Sequence, residues 1–260
     1  MELKRIFPQP EELPEQFRTL LTRGAVYDSS CSQAARLYYF PEPGLFLKAA
    51  PKGSLQQQAQ MTDFFAGLGL TKPVLDYVSL EKDYLLTQQV PGKDCIAPEY
   101  LRDPKRLSQT FGELLRQLHE MPTAGCPIPN RTEQYLHTAR EHYRLGQYDR
   151  SHFPDSFGYQ SPEEAFRVVS TQGKYLQQDV LLHGDYCLPN VILDNWQFSG
   201  FVDMDSGGVG DRHIDLFWGI WSLGFNLKTQ AYRDRFLDAY GRDRVNEEVF
   251  PVIAAAEVFC

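Results

Sequence analysis

Between positions 183 and 215 the chain gathers side chains that can do chemistry on oxygen. His183-Gly184-Asp185 opens a loop after the apolar run Val180-Leu181-Leu182, and Asn190 follows on the same loop. Asp203 ends the run Phe198-Ser199-Gly200-Phe201-Val202, and Gly210-Asp211-Arg212-His213-Ile214-Asp215 comes next. A loop carboxylate can orient and deprotonate an attacking hydroxyl. A second carboxylate and an amide oxygen can hold Mg²⁺, a hard cation that takes oxygen ligands. This is the set that phosphoryl transfer to a hydroxyl requires, because the metal neutralises charge and positioning does most of the rest. A Gly-Asp turn alone is ordinary turn chemistry. The full H-G-D-x-x-x-x-N pattern arises by chance in roughly one chain per thousand at ordinary residue frequencies, and the downstream Asp makes accident rarer still.

These residues need a scaffold. With 260 residues and 42% hydrophobic content the chain can bury one large domain or two lobes. Its 17 Phe and 14 Tyr argue against disorder. The net charge of −8 argues against DNA or an anionic membrane as the main partner and permits a cationic small substrate. Five scattered cysteines without a C-x-x-C pair predict neither a zinc site nor a disulfide framework. The opening, Met1 to Pro8, lacks the apolar stretch of a signal peptide, and no run of about eighteen apolar residues occurs. The expected place is the reducing cytoplasm.

The elements follow from period and punctuation. Residues 1–23 are charged and Pro-rich and predict a short helix after Pro10. Strand-like runs are Ala25 to Tyr27, Arg36 to Phe40 and Leu45 to Lys48, the last two joined by Pro41-Glu42-Pro43-Gly44. A helix is expected over 54–68 and two more strands over 74–78 and 84–90. Pro91-Gly92-Lys93-Asp94 breaks the pattern. Asp103-Pro104 reads as an N-cap with Pro at the first helical position. A helix follows, then others over about 131–145 and from the capping-box start Ser161-Pro162-Glu163-Glu164. Val180 to Leu182 reads as a buried strand, and a hairpin turns at Asn195-Trp196. Three helices, about 212–223, 229–240 and 246–259, close the chain. The fold class is α+β. Residues 1–90 form an N-terminal lobe of antiparallel sheet with one helix, 91–94 a linker, and 95–260 a larger, mostly helical C-terminal lobe.

His183 to Asn190 resembles the catalytic loop of aminoglycoside phosphotransferases, and is similar to the H-R-D-x-x-x-x-N loop of protein kinases. Gly200-Phe201-Val202-Asp203, followed by Gly210-Asp211-Arg212-His213-Ile214-Asp215-Leu216, resembles the G-F-I-D…A-D-R-x-x-D-L run of the 3′-phosphotransferase branch. Leu45-Phe46-Leu47-Lys48 looks like the strand bearing the phosphate lysine, Val90-Pro91-Gly92 like the hinge, and Tyr27 to Ser32 like the loop over the nucleotide phosphates. Glu257-Val258-Phe259 is similar to that branch's acidic-aromatic terminus. The resemblance covers nearly the whole chain and is strongest from 181 to 217. It implies a two-lobed, protein-kinase-like fold whose N-terminal lobe binds the nucleotide, with ATP and Mg²⁺ as cofactors. Asp185 would be the catalytic base or hydroxyl-orienting residue, and Asn190 and Asp203 the Mg²⁺ ligands. Lys48 would hold the α and β phosphates and Phe46 stack on adenine. Ser30, Ser32, Gln58 and Gln89 would complete the nucleotide-binding set. His183 is expected to brace the loop, and Asp211, Arg212 and Asp215 to form a buried bracing network.

The chain also departs from that pattern. Where kinases pair the strand lysine with a helix glutamate, it carries Gln58, which accepts a hydrogen bond but supplies no charge. Asp205 adds a carboxylate beside Asp203, either recruiting a second cation or facing solvent; solvent is expected. Ala256 stands where the drug-binding branch often has Asp. The acceptor is expected to be a cationic small molecule with a hydroxyl, contacted by Asp155, Glu257 and the terminal Cys260; Glu163 and Glu164 read as ordinary helix N-terminal acids. The first reading is phosphorylation of an aminoglycoside at a 3′ hydroxyl. The others are a kinase for another small alcohol or sugar, and a nucleotide-binding member that has lost catalysis.

Overall fold

A computed structural model describes residues 3–30, 35–148 and 157–260. They divide into two compact units. The first comprises residues 1–92 and 199–205, the second 93–198 and 206–260.

The first unit is a six-stranded antiparallel sheet. Its strands are β1 (Lys4–Ile6), β2 (Val26–Asp28), β3 (Arg36–Phe40), β4 (Leu45–Pro51), β5 (Val74–Ser79) and β6 (Lys82–Gln88), in the order β1-β2-β3-β4-β6-β5. Side chains alternate between faces with period two. One face of β3 and β4, with Tyr38, Leu45, Leu47 and Ala49, packs under Leu13, Phe17 and Leu20 of the N-terminal segment. The opposite face meets α1 (Gln56–Gly67), with Leu55, Ala59 and Leu85 in the contact. The short helix expected after Pro10 is present as two 3₁₀ stretches, Pro10–Glu12 and Glu15–Thr22, in which the carbonyls of Pro10 and Pro14 accept from Leu13 and Phe17 three residues on.

The boundaries expected from sequence, 1–90, 91–94 and 95–260, miss the return of 199–205 to the first unit. Phe201 donates its N–H to Leu70 O at 2.8 Å, Thr71 Oγ1 donates to Phe201 O at 2.6 Å, and the Phe201 ring meets the Phe65 ring edge-on at 6.2 Å. Nor are all of 91–94 linker: Lys93–Asp94 forms the short strand β7, paired with β9 (Val191–Asp194) at Lys93↔Leu193 and Asp94↔Ile192.

The second unit is mostly helical: α2 (Pro98–Leu101), α3 (Pro104–His119), α4 (Arg131–Leu145), α5 (Pro162–Gln172), α6 (Arg212–Leu227), α7 (Arg233–Tyr240) and α8 (Phe250–Glu257). Asp103 Oδ1 caps α3 by accepting from Arg106 N, and Ser161 Oγ caps α5 by accepting from Glu164 N. Gly112 lets α3 approach α7 closely, since a Cβ there would lie 2.4 Å from Phe236 O. The core draws on Tyr135, Val169, Leu182, Ile214, Ile253 and the nearly terminal Phe259. β8 (Val180–Leu182) pairs antiparallel with β11 (Gly208–Gly210). β9 leads through a turn at Asn195 (φ 48°) and Trp196 (φ 69°) into β10 (Gln197–Phe201). No described helix is long and apolar enough to cross a membrane.

Candidate active site

In the first unit, β4, α1 and the 199–205 return bring Lys48, Gln58 and Asp203 together. Lys48 Nζ donates to Asp203 Oδ1 at 2.7 Å and to Gln58 Oε1 at 2.9 Å. Gln58 Nε2 donates to the same Asp203 Oδ1 at 2.9 Å, closing a three-membered ring of hydrogen bonds. Gln57, one residue earlier on α1, ties Asp205 by its carbonyl oxygen at 2.6 Å. Asp205 is an exposed residue.

The other nucleotide candidates sort differently. Phe46 stacks on Tyr39 with ring centroids 4.5 Å apart, and the Tyr39 hydroxyl donates to Gln89 Oε1 at 3.1 Å. Phe46 and Gln89 therefore share one aromatic neighbour at the end of β4 away from Pro51. Ser30 braces its own loop: its N–H donates to Asp28 Oδ1 at 3.0 Å and its hydroxyl accepts from Leu37 N at 2.9 Å. Ser32 lies outside the described residues. A cleft of about 850 Å³ opens on the sheet face carrying Arg36, Tyr38, Ala49 and Tyr84, and its wall includes none of Lys48, Gln58 or Asp203.

In the second unit, β8 ends at Leu182 and the chain turns sharply through Gly184 (φ 86°) to present Asp185. Asn190 reaches back across the loop, its Nδ2 donating to Asp185 Oδ2 at 2.8 Å and to Asp185 O at 2.9 Å. The loop is held from beneath by Asp215 of α6. Its Oδ2 accepts from His183 N at 2.8 Å and from His119 Nε2 at 3.1 Å, and its Oδ1 from Gly184 N at 2.8 Å. Burial keeps the His119 ring below its ordinary pKa despite the Asp215 charge, so the ring is neutral at pH 7. Its Nε2 then carries the proton, and its Nδ1 accepts from the Tyr240 hydroxyl at 2.8 Å. Asp211 caps α6 and accepts from His213 and Gln177 N, and Arg212 pairs with Asp179 at 2.7 Å. Of the expected bracing trio, Asp215 and Arg212 are joined through His119 and Tyr240, with Asp179 at the far end, while Asp211 braces the start of α6 separately through His213 and Gln177.

Two supports escaped the sequence reading. Tyr186 is fully buried, stacks on Phe111 at 4.3 Å and donates its hydroxyl to Phe111 O at 2.8 Å, anchoring the loop to α3. Ser222 Oγ accepts from Leu188 N at 2.9 Å, anchoring it to α6. The aromatic directly after Asp185 was the one available signal; nothing in the local sequence marks Ser222.

The acceptor candidates also differ from expectation. Glu257 is no open carboxylate: it is 7% exposed, and its Oε1 accepts from the Tyr135 hydroxyl at 2.9 Å and from Trp218 Nε1 at 3.0 Å. Burial pushes its carboxyl up to about 7, and the nearby Asp185 charge adds to the rise, against the two hydrogen bonds and Arg131, which favour the charged form. Glu257 ends α8 beside the buried Ile253, Ala255 and Ala256, where the donors Tyr135 and Trp218 offset part of the cost of burial. Cys260 is exposed and its thiol reaches Tyr135 O at 3.8 Å. Glu164 accepts from Gln160 N as a helix N-terminal acid. Asp155 lies outside the described residues.

A sheet unit with a lysine–carboxylate pair, and a helical unit with an Asp–Asn loop braced from below, define the kinase-like class of phosphotransferase. Residues 34–250 match the model of the phosphotransferase enzyme family, and the chain belongs to that family. It is 40% identical over 259 residues to a probable aminoglycoside 3′-phosphotransferase of Lactococcus lactis subsp. lactis (strain IL1403), covering 99% of this chain and 98% of the relative. Its fold matches the solved structure of a type VIII aminoglycoside-3′-phosphotransferase, with a TM-score of 0.71 at 23% identity over 90% of this chain and 91% of the other. It also matches an aminoglycoside phosphotransferase from Streptomyces rimosus in complex with ADP and streptomycin, with a TM-score of 0.68 at 22% identity over 85% and 90%. At those identities the structures speak for the fold, which is the two-lobed α+β fold expected; the family match and the full-length relative speak for the phosphotransferase.

Proposed function

We propose that the protein transfers the γ-phosphoryl group of ATP to the 3′ hydroxyl of an aminoglycoside. The observation that carries this reading is the Asp185–Asn190 loop, with Asp185 oriented by Asn190 Nδ2 at 2.8 Å. Asp185 would orient the acceptor hydroxyl and take its proton as the oxygen attacks the γ-phosphorus and the bond to ADP breaks. Lys48 would hold the α and β phosphates, with Phe46 and Gln89 near the base. Mg²⁺ bound with the nucleotide would neutralise phosphate charge. Asp203 in the first unit and Asn190 in the second are the oxygen donors we assign to it. Their chemistry fits: Asp203 Oδ2 and Asn190 Oδ1 have no protein partner among the described residues, and Mg²⁺ takes its remaining ligands from water and phosphates. The full-length likeness to a probable aminoglycoside 3′-phosphotransferase supports the acceptor class, as does the net charge of −8 for a polycationic substrate. A need for ATP would favour the cytoplasm as the site of the reaction.

A coupled ADP-release assay with Mg-ATP tests this, comparing wild type with Asp185→Ala across kanamycin, neomycin and a pool of small alcohols and sugars. Release with the drugs, lower by 10²–10⁴-fold in the variant, is the expected result. Release only with the metabolite pool would replace the acceptor. No Asp185-dependent release with anything tested would leave a nucleotide-binding protein without catalysis.

A further inference from the structure

Gln58 does more here than stand in for a glutamate. Its amide is used at both ends, with Oε1 accepting from Lys48 and Nε2 donating to Asp203. The neighbours allow only this orientation. A flipped amide would set its NH₂ against an ammonium that only donates and its oxygen against a carboxylate that only accepts. A glutamate at this place could serve Lys48 but has no proton for Asp203. Gln58 is 7% exposed, so water does not readily replace it.

Asp203 is the residue that needs such a partner. It is a non-glycine residue at φ 63°, in the left-handed region, where strain persists only if the surroundings hold it. Its Oδ1 receives both Lys48 and Gln58, its Oδ2 receives no protein donor among the described residues, and its side chain is 48% exposed. The carboxylate is thus turned with one oxygen engaged by protein and the other open.

We infer that Gln58 is a positioning residue for Asp203: its side-chain N–H fixes the carboxylate so that Oδ2 stays free for the nucleotide's divalent cation, a role distinct from supporting Lys48. The inference rests on assigning Asp203 to the metal and Lys48 to the phosphates. Partners that orient a metal-binding carboxylate typically change metal affinity by tenfold or more when removed.

The test needs no acceptor. ADP affinity is measured by calorimetry in EDTA, and Mn²⁺ affinity of the ADP-loaded protein by electron paramagnetic resonance, for wild type and Gln58→Met. The expected result is a loss of Mn²⁺ affinity about tenfold larger than whatever loss of metal-free ADP affinity follows from removing the acceptor of Lys48. Equal losses in both would mean that Gln58 acts through Lys48 alone, and no loss in either would leave it a core filler; both outcomes overturn the inference. Gln58→Glu covers the case in which the Met variant fails to fold. An added carboxylate acting by charge alone would raise Mn²⁺ affinity, whereas a lost donor lowers it. A fall is expected, and a rise would overturn the inference. Wild-type protein that binds no ADP would bring down the proposed function along with it, a pattern distinct from the others.

Discussion

At the scale of single residues, the site depends on one carboxylate that does no chemistry. Asp215 takes two backbone N–H groups of the catalytic loop and one imidazole N–H, all in a buried place. Asparagine has the same shape but only one oxygen, and whichever way the amide turns, its NH₂ faces an N–H. Asp215→Asn is therefore expected to lower stability by roughly 2–4 kcal/mol and to lower kcat through a displaced Asp185. Denaturant midpoints and initial rates check it, and a variant matching wild type in both would remove the bracing role. The meeting of Asp185 and Asn190, the residues proposed to react, was legible in the sequence because they lie on one loop, where spacing alone fixes their relation. The supports were not, because Tyr186 meets Phe111 and Leu188 meets Ser222 across long stretches of chain that no local pattern records. Gln58 was legible as a departure, but its contact with Asp203 was not, since that depends on where the 199–205 segment goes.

At the scale of elements, the catalytic loop is a turn that only glycine completes. Gly184 has φ 86°, and a Cβ there would lie 1.8 Å from Ser206 O, a backbone atom that cannot swing aside. Gly184→Ala combines left-handed strain with that collision. It is expected to lower the melting temperature by several degrees, as roughly 2–4 kcal/mol would do, and to abolish turnover. Calorimetry would count against the close approach if the variant melted like wild type. Gly208-Val209-Gly210 has no strand signature, yet it pairs with Val180 to Leu182. Strands with alternating or aromatic runs and Pro-Gly turns were read within about three residues at each end, and the helix starts announced by Asp103-Pro104 and Ser161-Pro162 were read correctly. Among the elements missed, β1 on β2 and β7 on β9 take their hydrogen bonds from partners distant in the chain, whereas α2 is a single locally bonded turn too short to show a period.

At the scale of the whole molecule, buried ionisable groups set opposite slopes of stability with pH in the two units. In the first unit, burial of Asp83 alone would raise its pKa, but hydrogen bonds from Ser79, the backbone of Gly53 and Leu55, and Tyr77 outweigh it and lower the value. Such a group adds stability that is present above its unfolded pKa and lost as pH falls through the folded one. In the second unit, Glu257 is raised from 4.5 to about 7 by burial. It binds its proton more tightly folded than unfolded, so stability falls as pH rises from about 4.5 to 7 and stays lower above that. The full effect is roughly 3 kcal/mol. The groups facing Glu257 are Tyr135 and Trp218, which donate to it, and the Asp185 and Arg131 charges, which oppose each other. Glu257→Gln keeps an acceptor for Tyr135 and Trp218 and removes the titration. Wild type is therefore expected to lose melting temperature between pH 5 and 8 in the transition of the second unit, and the variant to lose much less of it. Melting curves of the two proteins that run parallel across that range would show that Glu257 is ionised at no unusual cost, and the buried carboxyl would then have to be charged beside Asp185 throughout.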